Sequence, residues 1–484
     1  MTSLDNPSQL NALAQFPMER RERMKGWTGG VQHTFGYVWY PTDIDDIRNV
    51  LLLARSYDRT IALRGAGHSY TDAALNTEDI VVNLSHMQRI LAWDPERGII
   101  CVEPGVTVSQ LWRATIGDGW WLPVLPSVLE ATLGGCLAMN VHGNNSWKKG
   151  SIGEHTLSIE LLLASGELVT VTPSNNPELF HAVIGGLGML GVVTSITLQL
   201  RPIHSGKLLT RRWSAHSLTD MLALFAEEAP TADYLEGWID GSASTHRLGR
   251  GFVTRADFIN EPDPVSLRPE AQVLVPNLGK IISPVILGLA TRPLNNNIGI
   301  RVVNMLLNRS GTARRSGKIQ RIPIVQFHFF HDSVFSYLNT LFPHGGHAIQ
   351  SFVPLKYAPA VFTELLQRSQ NAGLVPFRCI LKQHRASPFL LSYQVDGFSL
   401  ELDYGVTSHN AVRLPALLEE LLEPVIGSGG RLYLAKDSVL NSQTYARSMG
   451  MDRIERFLAV KRTYDPEHIF QSDLFRRVFA QASS

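Results

Sequence analysis

The chain has 484 residues, 44% of them apolar and 18% charged, the composition of a globular protein. Its 44 Lys and Arg against 43 Asp and Glu leave a net charge of +1, too balanced for a general nucleic-acid binder, so no nucleic-acid partner is expected. No apolar run reaches the roughly 18 residues of a membrane span. The first residues show no basic–apolar–small leader pattern, and a cytoplasmic location is expected. Cys101, Cys136 and Cys379 are odd in number and widely spaced, which fits neither a disulfide framework nor a zinc site, and no metal is expected.

Residues 1–36 read as a polar, irregular arm with one short helix over 18–25. A helix follows from 44, with Thr42 as its N-cap, Asp45 as capping-box partner, and Ile44, Ile47, Val50, Leu51 and Ala54 at helical spacing. Strands are expected over 61–63, 80–84 and 99–102, and a helix over 108–116. Strands over 157–164 and 168–171 are joined by Ser165, Gly166 and Glu167, a hairpin signal. A helix over 177–183 and a long alternating strand over 192–200 complete the first part. After Arg201 and Pro202 strands and helices mix, a strand is expected over 431–435, and a helix over 451–462 closes the chain. This alternation suggests α+β sheets rather than one doubly wound sheet.

Three glycine clusters interrupt the elements. Arg64, Gly65, Ala66, Gly67, His68 and Ser69 directly follow a strand, where glycines expose successive amides to an anion. Thr132, Gly134, Gly135 and Ala138 are followed by His142, Gly143, Asn145 and Gly150; such a density of small residues fits either a bulky ligand on the backbone or two backbones in close contact. Gly186, Gly188 and Gly191 match G-x-G-x-x-G, but a helix precedes them and a strand follows. That is the reverse of the dinucleotide fingerprint, and a Rossmann fold is excluded.

Taken in order, these segments resemble the flavin-binding (PCMH-type) domain of the vanillyl-alcohol oxidase superfamily, with a similar tail at Tyr464, Asp465, Pro466, Glu467, His468, Ile469 and Phe470. The resemblance implies α+β architecture: a two-subdomain FAD-binding domain over 37–204, an α+β substrate (cap) domain on an antiparallel sheet over 205–425, and a segment over 426–484 returning to the FAD domain. FAD is the implied cofactor. Its expected contacts are Arg64, Gly65, Ala66, Gly67, His68, Ser69, Pro126, Thr132, Gly134, Gly135, Ala138, His142, Gly143, Asn145, Gly150, Gly188, Gly191, Val193 and Tyr433. Within the superfamily the chain looks most like the decaprenylphosphoryl-ribose oxidases, through Pro123 to Pro126, Arg309 to Thr312 and Gly429 to Ser438. It departs from them in three places. His68 replaces an arginine and gives the G-x-G-H-S motif of the alditol and aldonolactone oxidases, whose histidine bonds to the flavin 8α-methyl. Asn144 replaces a lysine, and Glu401 stands near a substrate-side cysteine.

The implied chemistry is oxidation of a secondary alcohol of a sugar, polyol or lipid-linked sugar, with hydride transfer to flavin N5 and a base for the hydroxyl proton. An aldonolactone or alditol oxidase using oxygen, an NADPH-dependent C=C reductase similar to 24-dehydrosterol reductase, and a flavoprotein without turnover remain open. Lys436 is the first choice of base, on a strand among apolar neighbours; otherwise it is a surface lysine paired with Asp437. Lys382, also in an apolar strand, is the second. Ser399, Glu401 and Asp403 alternate with Leu400, Leu402 and Tyr404, which places Glu401 and Asp403 either over the flavin or in solvent. His142 flanks the flavin or is a core histidine. His328 and His331 sit in a Phe-rich run read as a strand, whose i, i+3 geometry argues against a metal and leaves one as a substrate wall. Residues 271–331 carry eight Lys or Arg and no acid. They read either as a solvated insertion with a loop at 311–318 or as a face for an anionic substrate or peripheral membrane contact.

Overall fold

A computed structural model of the chain describes residues 17–27, 33–273, 296–313, 317–335 and 344–480. The first sheet has four strands, β1 (Arg21–Lys25), β2 (His33–Trp39), β3 (Ile61–Arg64) and β4 (Ile80–Asn83), in the order β1-β2-β4-β3. β2 and β3 run parallel to β4, which requires a crossover. The helix Ile44–Ser56 supplies it and buries Ile47, Val50, Leu51, Leu53 and Ala54. Its N-cap is Asp43, which accepts from the Asp46 amide, one residue later than the sequence suggests. Thr42 instead donates its amide and hydroxyl to Asp46. Residues 18–25 are not one helix. A single turn, Met18–Arg20, leads into β1, whose Met24 packs with Val38, Ala62, Leu75 and Val81. The first sheet therefore begins inside the stretch expected as an arm.

The second sheet is antiparallel throughout. Its strands β5 (Ile90–Asp94), β6 (Ile99–Val102), β8 (Thr156–Leu162), β9 (Leu168–Val171) and β10 (Val192–Gln199) lie in the order β5-β6-β10-β8-β9. A separate two-residue pair joins β7 (Trp120–Trp121) to β11 (Arg201–Pro202). The third sheet has eight antiparallel strands. They are β12 (Lys207–Ala215), β13 (Tyr234–Ile239), β14 (Gly251–Phe258), β15 (Gln320–Pro323), β16 (Gly346–Pro354), β17 (Arg378–His384), β18 (Gly397–Gly405) and β19 (Arg431–Leu432), in the order β15-β12-β14-β13-β17-β18-β16-β19. The helices Leu218–Glu228, Ala358–Asn371 and Arg413–Gly427 bury Phe225, Phe362 and Leu418 in the same core. Every residue of β18 is buried, so both of its faces are covered and a solvent-facing Glu401 and Asp403 is excluded.

The Phe-rich run is helical, within Ile324–Phe335, and not a strand. His328 is buried there against Trp121 (5.7 Å) and Tyr234 (4.6 Å), and burial pushes its pKa down to about 3, so it packs as a neutral core ring. The His331 side chain lies outside the described residues. The helix Asn297–Ala313 runs through Gly311, where a loop was expected, and Arg314 and Arg315 are outside the described residues.

After β19 the chain returns to the first two sheets through the helices Ser442–Met449, Met451–Tyr464 and Asp473–Phe479. Phe470 bridges to Ile61. Lys461 is fully buried, and its Nζ donates to Asp465 (2.7 Å), Met189 O (2.9 Å) and Phe470 O (2.8 Å). All three ammonium hydrogens are thus used, which is what makes burial of the charge tolerable. Met189 belongs to the third glycine cluster, so this cation ties the tail to that loop. Lys461→Met leaves the Asp465 carboxylate buried without its cation. It is expected to lower unfolding free energy by about 3–5 kcal/mol, read as a shift in urea midpoint, with part of the loss recovered in Lys461→Met/Asp465→Asn.

Candidate active site

Between the first two sheets and the third lies an open cavity of about 1670 Å³, solvent at its mouth included. One side is built from the glycine clusters. Leu63, Arg64, Gly65, Ala66, Gly67, His68 and Ser69 line it where β3 ends. Among the described residues, no amide from Ala66 to Ser69 donates to a protein acceptor. Gly67 has φ +73°, the left-handed conformation that turns this loop over the cavity. The Arg64 guanidinium lies behind it and donates to the carbonyls of Lys25 and Ala74. Pro126, Thr132, Gly134, Gly135 and Ala138 line the next part, with Gly188, Gly191 and Val193 opposite. Gly134 is the second residue of the short helix Leu133–Ala138, and its amide donates to Pro104 O at 2.8 Å.

His68 sits in this wall with its Nδ1 buried and without a hydrogen-bond partner. Burial, helped by Arg64, pushes its pKa down to about 4, so the ring is neutral and holds a free lone pair. Trp27 lies tilted against it at 6.4 Å and against Tyr70 at 5.0 Å, and Lys436 lies over the Tyr70 ring at 5.7 Å.

The facing wall is one side of the third sheet. The antiparallel register sets Arg378 opposite Asp403, Ile380 opposite Glu401 and Lys382 opposite Ser399, so these residues share a face. Arg378, Ile380, Lys382, Glu401 and Glu236 all reach the cavity. Arg378 is bonded to both Glu401 and Asp403, and Glu401 is bonded again to Lys436. Burial raises the Glu401 carboxyl, but Arg378, Lys436 and Lys382 outweigh it and hold it below its usual range. Asp403 stays behind Arg378 and is raised by burial and by Glu401. Lys382 has no ion pair among the described residues. Burial pushes it down to about 8, against the pull of Glu236 and Glu401 and with the help of Lys436 and Arg378.

Lys436 is in the cavity, but on a turn after the two-residue β19 and not on a strand. Tyr433 and Ala435 line the cavity beside it. His142 is buried at the junction of the two walls, and its Nε2 donates to Gln350 Oε1 at 3.3 Å. Gln350 Nε2 donates to Ser399 Oγ, which also meets His384 Nε2 at 2.8 Å. Burial, then Lys382 and Lys436, holds His142 neutral, well below its ordinary pKa.

Three expected contacts do not reach the cavity. Asn145 donates to Pro123 O, shaping the backbone behind it. The Gly143 amide is turned to Ser146 Oγ. Gly150 has φ +70° and lies so close to Glu154 that a Cβ would meet its carboxylate at 1.7 Å. These small and amide residues shape turns, not a ligand surface. Conversely Arg378, Glu236, Tyr70 and Trp27 were missed. Glu236 was findable as the lone acid in the apolar run 234–239, and Arg378 as a cation heading the apolar strand β17. Trp27 gives no local signal.

Residues 36–172 match the family described as FAD binding domain. Over 478 residues the chain is 28% identical to decaprenylphosphoryl-beta-D-ribose oxidase of Mycolicibacterium smegmatis, covering 96% of this chain and 98% of that protein. A more local similarity, 33% over 162 residues, links 34% of this chain to 36% of L-gulonolactone oxidase of Bos taurus. Another, 32% over 165 residues, links 34% of this chain to 29% of a putative D-arabinono-1,4-lactone oxidase of Neurospora crassa.

The cradle makes FAD retention sensitive to backbone crowding. A Cβ on Gly134 would stand 2.7 Å from Pro104 Cβ and 3.0 Å from its carbonyl oxygen. Gly134→Ala is expected to weaken FAD binding about tenfold, measured as loss of flavin absorbance from purified protein on dilution and gel filtration.

Proposed function

We propose that this chain, a PCMH-type FAD-binding flavoprotein and FAD-linked oxidoreductase acting on CH–OH groups, oxidises a secondary alcohol of a sugar, polyol or lipid-linked sugar. The observation that carries the reading is one cavity whose first wall is an amide-lined glycine cradle and whose second presents Lys382, a buried lysine with no ion pair among the described residues. The likeness to a ribose oxidase over nearly the whole chain supports the substrate class.

The cradle residues fit FAD. The free amides of 66–69 suit a pyrophosphate, and the small surfaces of Gly135, Ala138 and Gly188 leave room for a flat ring system. Bound flavin supplies the hydride acceptor; the protein supplies position and proton handling. Lys382 is the better base of the two lysines. A base must be deprotonated near working pH, and burial brings Lys382 to about 8. Lys436 is committed to Glu401, so its charge is held in place beside the reacting hydroxyl and favours an alkoxide there. Arg378 keeps Glu401 ionised and therefore keeps that pair closed. The carboxylates and cations of this wall nearly balance, which suits the hydroxyls of a neutral sugar.

His68 is the proposed point of covalent attachment. Its neutral Nδ1 lone pair is free and lies in the cofactor wall. The Nδ1 lone pair of His68 would hold FAD at the flavin 8α-methyl, His68 giving up its ring proton, and the bound flavin would supply the two-electron acceptor that such a bond requires. On denaturation, yellow colour is expected to stay with a peptide containing His68 and to be released from His68→Ala. Colour in the supernatant of the wild-type protein would remove the bond and leave FAD held by the cradle alone.

Anaerobic mixing with the true sugar or polyol is expected to bleach the flavin band, whereas reduction by NADPH and not by alcohols would replace this reading with C=C reduction. The reduction rate should rise with pH and level off above about 8, because only the neutral amine accepts a proton. Lys382→Met is expected to cost 100- to 10,000-fold and to remove that rise. An unchanged pH profile would transfer the role of base to Lys436.

A further inference from the structure

Glu401 and Glu236 both reach the cavity from the third sheet, but from different strands. Glu401 on β18 is bonded to Arg378 and Lys436. Glu236 stands on β13, on the other side of β17. The register of β13 with β17 sets Trp238 opposite Ile380 and Gly237 opposite Leu381, and its next step sets Glu236 opposite Lys382. Directly opposed residues of an antiparallel pair share a face, with Cβ atoms about 5 Å apart. Both side chains line the cavity, so they enter it side by side from adjacent strands. Across its other edge Lys382 faces Ser399, which is neutral. In this cross-strand row Glu236 is therefore the charged neighbour of Lys382.

The charges around Lys382 come from every element packed on it. Glu236 on β13 and Glu401 on β18 pull a proton toward it, while Lys436 on the turn after β19 and Arg378 on its own strand push one away. Glu236 exerts the larger pull of the two acids, because the charge of Glu401 is already met by Arg378 and Lys436. The rings of His142, His384 and His328, which also feel Lys382 or its neighbours, are buried and held neutral.

When the alcohol is oxidised, its hydroxyl proton moves to the Lys382 Nζ and its carbon-bound hydride to the flavin, so Lys382 gains a positive charge. The other cations of this wall, Arg378 and Lys436, already lie against Glu401 and Asp403. A new buried ammonium needs a countercharge of its own. We propose that Glu236 is the positioning residue for Lys382: it draws the amine toward the cavity and supplies the countercharge once the hydroxyl proton has arrived. It acts through Lys382 and needs no contact with the substrate. This role in turnover rests on the reading of Lys382 as the base; the coupling of the two side chains does not.

Competitive acetylation of the substrate-free holoenzyme measures that coupling. Only a neutral amine reacts with acetic anhydride, so the pH at which the Lys382 peptide is half-labelled reports its protonation, read by mass spectrometry against exposed Lys356. In the wild type the midpoint should lie at about 8. Glu236→Gln keeps the shape and removes the charge that favours the ammonium, and should lower the midpoint by about one pH unit. Glu236→Asp keeps the charge and should restore most of the wild-type value. The rise of flavin reduction with pH should move down together with the labelling midpoint, and its plateau should drop about tenfold, since the ammonium formed in the reaction is less stable. A midpoint in Glu236→Gln equal to or above that of the wild type overturns the proposal; if that variant loses its flavin, Glu236→Ser is read in the same way. A labelling shift that flavin reduction does not follow supports the coupling and removes instead the reading of Lys382 as the base.

Discussion

The constraint on which this structure turns is the burial of mixed charge on one face of a β-sheet. Where most eight-stranded sheets covered on both sides would place aliphatic residues, the cavity side of this one presents Glu236, Arg378, Lys382, Glu401 and, behind them, Asp403. Charges removed from water must be matched by partners at hydrogen-bonding distance or give up their ionisation. Arg378 meets the requirement for two carboxylates at once, and Lys436 closes the other side of Glu401. That pairing uses up the strong local partners and leaves Lys382 to respond by a lowered pKa. Lys382 thus stands beside ion pairs that are closed without it. Such an amine cannot be had by burying a lysine alone, because a lone buried charge would destabilise the sheet that positions it.

The two walls come from distant parts of the chain, and their alignment depends on the tail. The hydrogen bonds of Lys461 reach Met189 in a glycine loop and Phe470, which in turn bridges to β3, the strand feeding the 64–69 loop. Arg477 adds a second tie, binding Asp72 of the first part of the chain and Asp437 of the last. Lys436 is carried on the segment immediately before Asp437. Lys436 is therefore registered to the glycine-lined wall through buried charge in the last helices.

The cradle was legible because its signal is local. A strand running into glycines is visible in sequence, and so is the reversed order of helix, glycines and strand that excluded a Rossmann fold. The helix 177–183 and the hairpin of β8 and β9 were equally readable, since period and turn residues lie within a few positions. The facing wall was only half readable. Lys382 and Glu401 stood out as charges in apolar strands, yet their relation to Arg378 and Glu236 follows from strand register, which for Glu236 on β13 joins segments more than a hundred positions apart. The errors have the same origin. Asn145 and Gly150 share the composition of ligand-binding loops but serve turns, because a tight backbone and a close ligand select the same small residues. His328 was placed on a strand by its aromatic neighbours, although an apolar run of that length is equally compatible with a buried helix.

In the cavity, cations and carboxylates are interleaved at hydrogen-bonding distance, so their fields cancel beyond a few ångströms. A segment without acids in sequence need not be unpaired in space. Residues 271–331 contain no acid, yet Arg321 within them pairs with Glu261 from outside, as Arg378 on β17 pairs with Glu401 and Asp403 on β18. Balanced composition therefore fixes the sum of the charges, and the fold decides which of them meet.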